Sequence, residues 1–369
     1  MEKVLNEVSL LEERKKSQEP HCRFGVLEIC CRLCAMGPCR ITPKSPKGVC
    51  GANEDTIVAR NLLRKIAVGA SAHSDHGRAV AETIIKVARK EAPGYEIKDE
   101  FKLVKLAMEL GIDIKDKKTE EIALKVGEIC LSQFGQQEGE LLFTKRAPIK
   151  RQKIWRDLGI TPRGIDREVV ESLHRTHMGT DQDFYNLMKQ AQRCALSDGW
   201  GGSMIATDLQ DILFGTPEPI LGKVNLGVLK EDYVNIIVHG HEPLLSEMIV
   251  VASEDPELIN LAKQKGAKGI NIGGICCTAN EVLMRHGISI IGNFLNQEMA
   301  INTGAVEVMV VDVQCVMASL PEISTCFHTK IITTSEKAKI PGAIHIQFTE
   351  ENALEKAKEI IKMAIENFE

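Results

Sequence analysis

The chain has 369 residues, a formal charge of -5 and 44% hydrophobic residues, enough for two or three domains with buried cores. That charge balance argues against a nucleic-acid footprint, and no stretch reaches the roughly 18 to 20 apolar residues of a membrane helix. The charged opening MEKVLNEVSLLEERKKSQEP lacks an apolar signal core, so a cytoplasmic chain with reduced thiols is expected.

The first element is a cysteine head. Residues 22–50 hold Cys22, Cys30, Cys31, Cys34, Cys39 and Cys50 in the spacing C-x7-C-C-x2-C-x4-C-x10-C. In a reducing compartment such clustering points to metal ligands before disulfides. A [4Fe-4S] cubane needs four thiolates converging from different directions. Cys31, Cys34, Cys39 and Cys50 can wrap one, with Gly37, Pro38, Gly48 and Gly51 making the turns. Neighbouring side chains diverge, so Cys30 is expected to point away from Cys31, to a second site with Cys22. Two thiolates do not complete a cluster, but a twofold-related copy of the chain supplies two more. Zinc is the competing metal, since Cys31 and Cys34 form half of a zinc knuckle; the remaining spacing is not that of a second knuckle.

Beyond the head the pattern is helical to about residue 215. EDTIVARNLLRKIAVGASAHSDHG, RAVAETIIKVARKEA, TEEIALKVGEICLSQFG and DREVVESLHRTHMG carry apolar residues at three- and four-residue steps. Asp166 is read as an N-cap, and SDGWGG interrupts a further helical run. His73 and His76 stand three apart in AHSDHGR. On a helix they share a side and can relay protons near neutral pH; surface histidines capped by Asp75 are the bland alternative. Cys130 and Cys194 read as core thiols.

After about residue 222 the grammar changes. VNIIVHG, GINIGGI, ISIIGNF, VEVMVVDV, KIITTS and AIHIQF are short β-branched runs alternating with helical patterns, and the last element is an amphipathic helix. This predicts a multidomain α/β chain: a helical domain over residues 1–220 with the cysteine head, then a Rossmann-like parallel sheet over residues 221–369. Candidate ligands fall just past three strands: His239 and His241, Cys276 and Cys277, and Cys315. Open α/β sheets bind ligands outside the carboxyl ends of their strands, so these can converge on one metal site. A buried cysteine can equally be a small hydrophobe. Cys326 has no such placement and stays unassigned.

Several long motifs carry a resemblance: CCRLCAMGPCRI, GVCGANEDTIVARNLLRKIAVGASAHSDHGR, DREVVESLHRTHMGTDQD, VHGHEPLLSEM, GICCTANEVLMRHGI and VMVVDVQCVMASLPEI. Together they closely resemble the catalytic subunit of the anaerobic, nickel-containing carbon monoxide dehydrogenases over nearly the whole chain. The resemblance implies that Cys22 and Cys30 share an iron–sulfur cluster across a homodimer axis. It implies that Cys31, Cys34, Cys39 and Cys50 hold a [4Fe-4S] relay cluster. His241, Cys277 and Cys315 are implied to be part of the ligand set of a Ni-Fe-S cluster, with Cys276 the alternative to Cys277. His73 is implied to be the acid–base histidine, with His76 beside it. The implied reaction converts CO and water to CO2, two protons and two electrons, which pass to a ferredoxin-like acceptor.

The family's subunit is longer, with further cluster cysteines and a lysine in a C-terminal domain. The expectation is therefore a truncated or split form, with three origins open: a fragment, an interrupted gene product, or a natural short form completed by a separate C-terminal chain. Negligible CO oxidation is expected of this chain alone. Two other readings stay open. One is a non-catalytic iron–sulfur electron-transfer or scaffold protein, separated by nickel content. The other is the related hybrid-cluster protein, a hydroxylamine reductase.

Overall fold

The computed structural model describes residues 10–368, which divide into two compact units. One unit comprises residues 10–18, Arg89–Asp99 and residues 213–368. The other comprises Glu19–Ala88 and Glu100–Ile212. Among the described residues no helix is long and apolar enough to cross a membrane.

The second unit is built on one 35-residue helix, Glu54–Ala88. Its buried positions Leu63, Ala67, Ala70, Ser74, Gly77 and Ala81 recur every three or four residues, the spacing that keeps one stripe facing a core. Helices Thr119–Gly135, Ile165–Arg175 and Phe184–Ser197 pack around it. Between Phe184–Ser197 and the helix Ser203–Phe214 lies a π-helical turn, Asp198–Gly202, formed by the DGWGG segment. This turn approaches the long helix closely: a Cβ on Gly202 would sit 3.0 Å from the His73 carbonyl oxygen. The expected cap at Asp166 is not a cap. The helix starts after Gly164, and the Asp166 carboxylate instead accepts from Ser74 Oγ at 2.5 Å and from Arg78. Its charge is spent on tying two helices together rather than on a helix end.

The head of this unit is a two-stranded antiparallel ribbon, β1 (Cys30–Cys31) and β2 (Cys39–Arg40). The sheet unit holds β3 (Val234–Gly240), β4 (Ile270–Ile275), β5 (Ser289–Gly292), β6 (Val308–Val311), β7 (Lys330–Thr333) and β8 (Ile344–His345). All pair in parallel, in the order β5-β4-β3-β6-β7-β8. All of β3 and β6 is buried, as expected of strands covered on both faces. A core of Ile237, Ile275, Ile291, Met309, Val311 and Ile331 lies on one side. Each such side chain contributes roughly 1.5–3 kcal/mol by leaving water. The last helix, Ala353–Glu366, turns Ala357, Ile360, Ile361 and Ala364 inward against Leu244–Ser253. The outlying segment Arg89–Asp99 joins this unit through Tyr95, whose hydroxyl donates to the Leu244 carbonyl at 2.8 Å.

The chain starts its sheet in the middle, at β3, builds outward to β5, then returns to the other side of β3 with β6. This is the doubly wound arrangement, and it leaves a crevice at the carboxyl ends of β3 and β6, where the winding reverses.

Candidate metal centres

The ribbon explains the adjacent cysteines of the head. Successive residues of a strand face opposite sides. Cys31 stands opposite Cys39 across the ladder, so these two share a face, while Cys30, paired with Arg40, takes the other. The connecting loop brings in Cys34, whose carbonyl accepts from Gly37 N–H at 3.2 Å. Cys31, Cys34, Cys39 and Cys50 line one small cavity with Ile57, Arg60 and Met178; Cys30 is not among its lining residues. The Val49 amide donates to Cys39 Sγ at 3.5 Å, the kind of contact that tunes iron–sulfur centres. Cys50 is held below the ordinary thiol range, first by the Ala52 amide and then, against a small burial cost, by the Arg60 guanidinium. Among the described residues no three His, Cys, Asp or Glu side chains meet closely enough for one metal ion. The four thiols instead ring a space, a donor set that fits a multi-iron cluster.

Cys22 is exposed at the start of the four-residue helix Arg23–Val26, and Cys30 is half-buried. Asn61 holds the backbone near Cys30, its side-chain amide donating to the Glu28 and Cys30 carbonyls at 2.9 and 3.1 Å.

The second constellation lies at the crevice. The ends of β3, β4 and β6 are drawn together by one carboxylate, Asp312. Its Oδ1 accepts from the His241 and Glu242 amides at 2.6 and 3.2 Å and from the Val313 amide. Its Oδ2 accepts from Thr278 Oγ1 at 2.8 Å. Burial pushes its carboxyl up to about 7 against the pull of these donors. Gly240 makes room for it: with φ at +137°, a Cβ there would lie 1.8 Å from Asp312 Oδ1. The imidazole-bearing His241 is nearly buried, whereas Cys277 and Cys315 are exposed and Cys276 is half-buried.

The three thiols form a group. Cys276 is pushed up to about 12, first by burial and then by Cys315 and Cys277; Cys277 is raised by burial and next by Cys315. Cys276, Gln314 and Cys315 have φ of +64°, +64° and +53°, left-handed conformations that side chains other than glycine adopt at some cost. Gln297 over-determines the Cys315 loop: its amide donates to the Cys315 carbonyl at 2.7 Å and its oxygen accepts from the Met317 amide at 3.0 Å. A thiol–imidazole donor set held on strained, clamped loops fits a soft metal cluster.

His239 corrects an expectation. It lies within β3, fully buried, with Nδ1 3.4 Å from the Ile275 carbonyl oxygen and Nε2 without a hydrogen-bond partner. Burial lowers its basicity below the ordinary histidine value, against the pull of its hydrogen-bonding neighbours. Cys326 packs against the sheet core, and Cys130 and Cys194 are buried core thiols.

His73 is half-buried. Its Nδ1 lies 2.6 Å from Asp198 Oδ1 and 3.1 Å from Ser203 Oγ, which also donates to Asp198. Hydrogen bonding to Asp198 raises its basicity above the ordinary histidine value, against the cost of burial. His76 is buried, its Nε2 2.5 Å from the Gln210 side-chain amide. Sequence reasoning missed Asp198, Asp312, Gln297 and Arg60. Two carried a signal: Asp312 ends a run of buried β-branched residues, and Asp198 opens a glycine-dense break between helices.

Fold and donors define a class: an α/β protein with a cysteine-ringed cavity in one unit and, in the other, three grouped thiols at the switch point with His241 on the adjoining strand end. The Prismane/CO dehydrogenase family matches residues 29–369, and the chain belongs to it. It is 59% identical to carbon monoxide dehydrogenase 1 of Methanosarcina acetivorans, over 96% of this chain and 57% of that protein. It is 48% identical to carbon monoxide dehydrogenase 1 of Carboxydothermus hydrogenoformans, over 96% and 57%. The Ni-free structure of the carbon monoxide dehydrogenase from Thermococcus sp. AM4 superposes with a TM-score of 0.96 at 52% identity, covering 98% of this chain and 58% of that one. The chain thus spans less than two thirds of the relatives it matches.

Proposed function

We propose that this chain is the cluster-bearing part of an anaerobic, cytoplasmic carbon monoxide dehydrogenase. The observation that carries the reading is the Cys276, Cys277, Cys315 and His241 group at the switch point, in a chain whose matched relatives are named carbon monoxide dehydrogenases. Those names also weigh against the hybrid-cluster reading. A helical domain over residues 1–220 and a Rossmann-like domain over 221–369 remain the proposed division.

Cys31, Cys34, Cys39 and Cys50 hold a [4Fe-4S] relay. Cys22 and Cys30 supply half the ligands of a cluster shared with a second copy of the chain. His241, Cys277 and Cys315 hold part of a Ni-Fe-S cluster, with Cys276 the alternative to Cys277. When bound, that cluster supplies the Lewis acidity and the electron sink for oxidising CO with water. The protein's part is orientation and proton handling. Asp312 fixes the three strand ends, and Gln297 fixes the Cys315 loop. Asp198 binds Nδ1 of His73 and so presents Nε2 as the nitrogen that takes and releases the proton. His76 stands one helical turn further on. The electrons leave through the head to a ferredoxin-like acceptor.

Three donors do not fill the corners of a nickel–iron cluster, so activity requires ligands from outside these residues. The test is anaerobic reconstitution with iron, sulfide and nickel, together with a polypeptide supplying those ligands. Nickel uptake and CO-dependent viologen reduction, both lost in Cys277→Ala, are expected. Iron-replete protein that holds no nickel and reduces no viologen would favour the electron-transfer reading instead.

A further inference from the structure

Arg60 occupies an unusual place. It lies on the long helix Glu54–Ala88, is 1% exposed, and lines the same cavity as Cys31, Cys34, Cys39 and Cys50. Its Nη2 donates to the Asp181 carbonyl at 3.1 Å, while its Nε is buried without a hydrogen-bond partner. Among the described residues no carboxylate pairs with it; the Asp181 carboxylate is taken by Arg175 and Asn186. A guanidinium carries its charge in any protein setting. Burying such a charge without a counter-charge is costly. Among the described residues the groups able to carry negative charge that share its cavity are the four thiols, and Cys50 is the one its guanidinium acts on.

We propose that Arg60 is the built-in counter-ion of the cluster in the head, and that its charge raises the cluster's reduction potential. This rests on the reading of Cys31, Cys34, Cys39 and Cys50 as cluster ligands. Four thiolates leave a [4Fe-4S] centre with net negative charge, and reduction adds one more unit without moving a proton. In function the electron comes from CO oxidation and passes on to the next cluster. A fixed positive charge in a low-dielectric pocket favours the more negative, reduced form. A role limited to holding the Asp181 carbonyl predicts no such bias.

The experiment uses the full chain, reconstituted anaerobically with iron and sulfide, as wild type, Arg60→Lys, Arg60→Gln and Arg60→Met. Dithionite and mediator dyes set the potential, and the reduced cluster is read by electron paramagnetic resonance. Cys34→Ala identifies which signal belongs to the head. At the potential where wild type is half reduced, the reduced-to-oxidised ratio should fall about tenfold in the Gln and Met variants, about 59 mV for a one-electron couple. The Lys variant should stay near wild type. Neutral variants that lose the cluster while Arg60→Lys keeps it also support the charge role. An unchanged ratio in the neutral variants overturns it, as does loss of the cluster in all three. Wild-type protein that takes up no head cluster overturns the ligand reading, and this inference with it.

Discussion

Asp198 decides what His73 can do. The pair of histidines was readable in AHSDHGR because a three-residue step on a helix is a local fact. The carboxylate that gives His73 its basicity lies 125 residues away, delivered by a π-helical turn that periodicity does not reveal. Asp198→Asn should therefore lower the His73 titration midpoint, read by NMR of its ring protons. The sign follows from linkage: a histidine raised in the native state stabilises it below the unfolded value of about 6.5, and that contribution disappears as pH rises through the native value. The stability gap between wild type and Asp198→Asn should be widest below about pH 6.5 and close above the native midpoint. A His73 midpoint that does not move in the variant would remove Asp198 from the account.

At the scale of elements, the six strands were legible because each is a compact β-branched run, and a parallel sheet buries both faces of such runs. The alternation also placed His241, Cys277 and Cys315 at strand ends. What it did not give was the device joining those ends: an acid closing the buried run VMVV stands out in sequence, but its bonds to the His241 amide and Thr278 are tertiary contacts. Nor did it place His239: the run VNIIVHG coincides with the strand, and His239 lies buried inside it rather than past its end. Gly240→Ala tests the device. The new methyl overlaps Asp312 Oδ1, so the carboxylate must withdraw from the His241 amide and Thr278. Buried groups left unsatisfied cost roughly 1–3 kcal/mol each. A loss of about 2–3 kcal/mol in denaturant unfolding is expected, together with poorer metal uptake by the sheet unit. Full stability in Gly240→Ala would mean that Asp312 does not hold the crevice together.

At the scale of the whole molecule, the sequence marked a change of grammar near residue 220 but not the excursion Arg89–Asp99, whose link to the sheet unit is a tertiary contact spanning 149 residues, Tyr95 to Leu244. The proposed pairing between chains is further still from legibility, because one exposed thiol, Cys22, and one half-buried thiol, Cys30, name no partner by themselves. The two units nevertheless make one prediction about the molecule as a system. Each has its own buried core, with Leu63, Leu187 and Ala191 packed together in one and Ile237, Met309 and Ile331 in the other, and each carries its own proposed donor set. Mutations without shared partners act additively. Cys34→Ala should therefore remove about one cluster's iron from the head and leave metal uptake at the switch point intact, while Cys277→Ala does the reverse. In the double variant the two losses should sum. Iron and nickel analysis of the four proteins, reconstituted in parallel without oxygen and with the polypeptide that supplies the remaining ligands, reads this directly. A Cys34→Ala protein that also fails to load the switch-point site would show that the two centres assemble as one, and the division of the chain into separately loaded units would have to be abandoned.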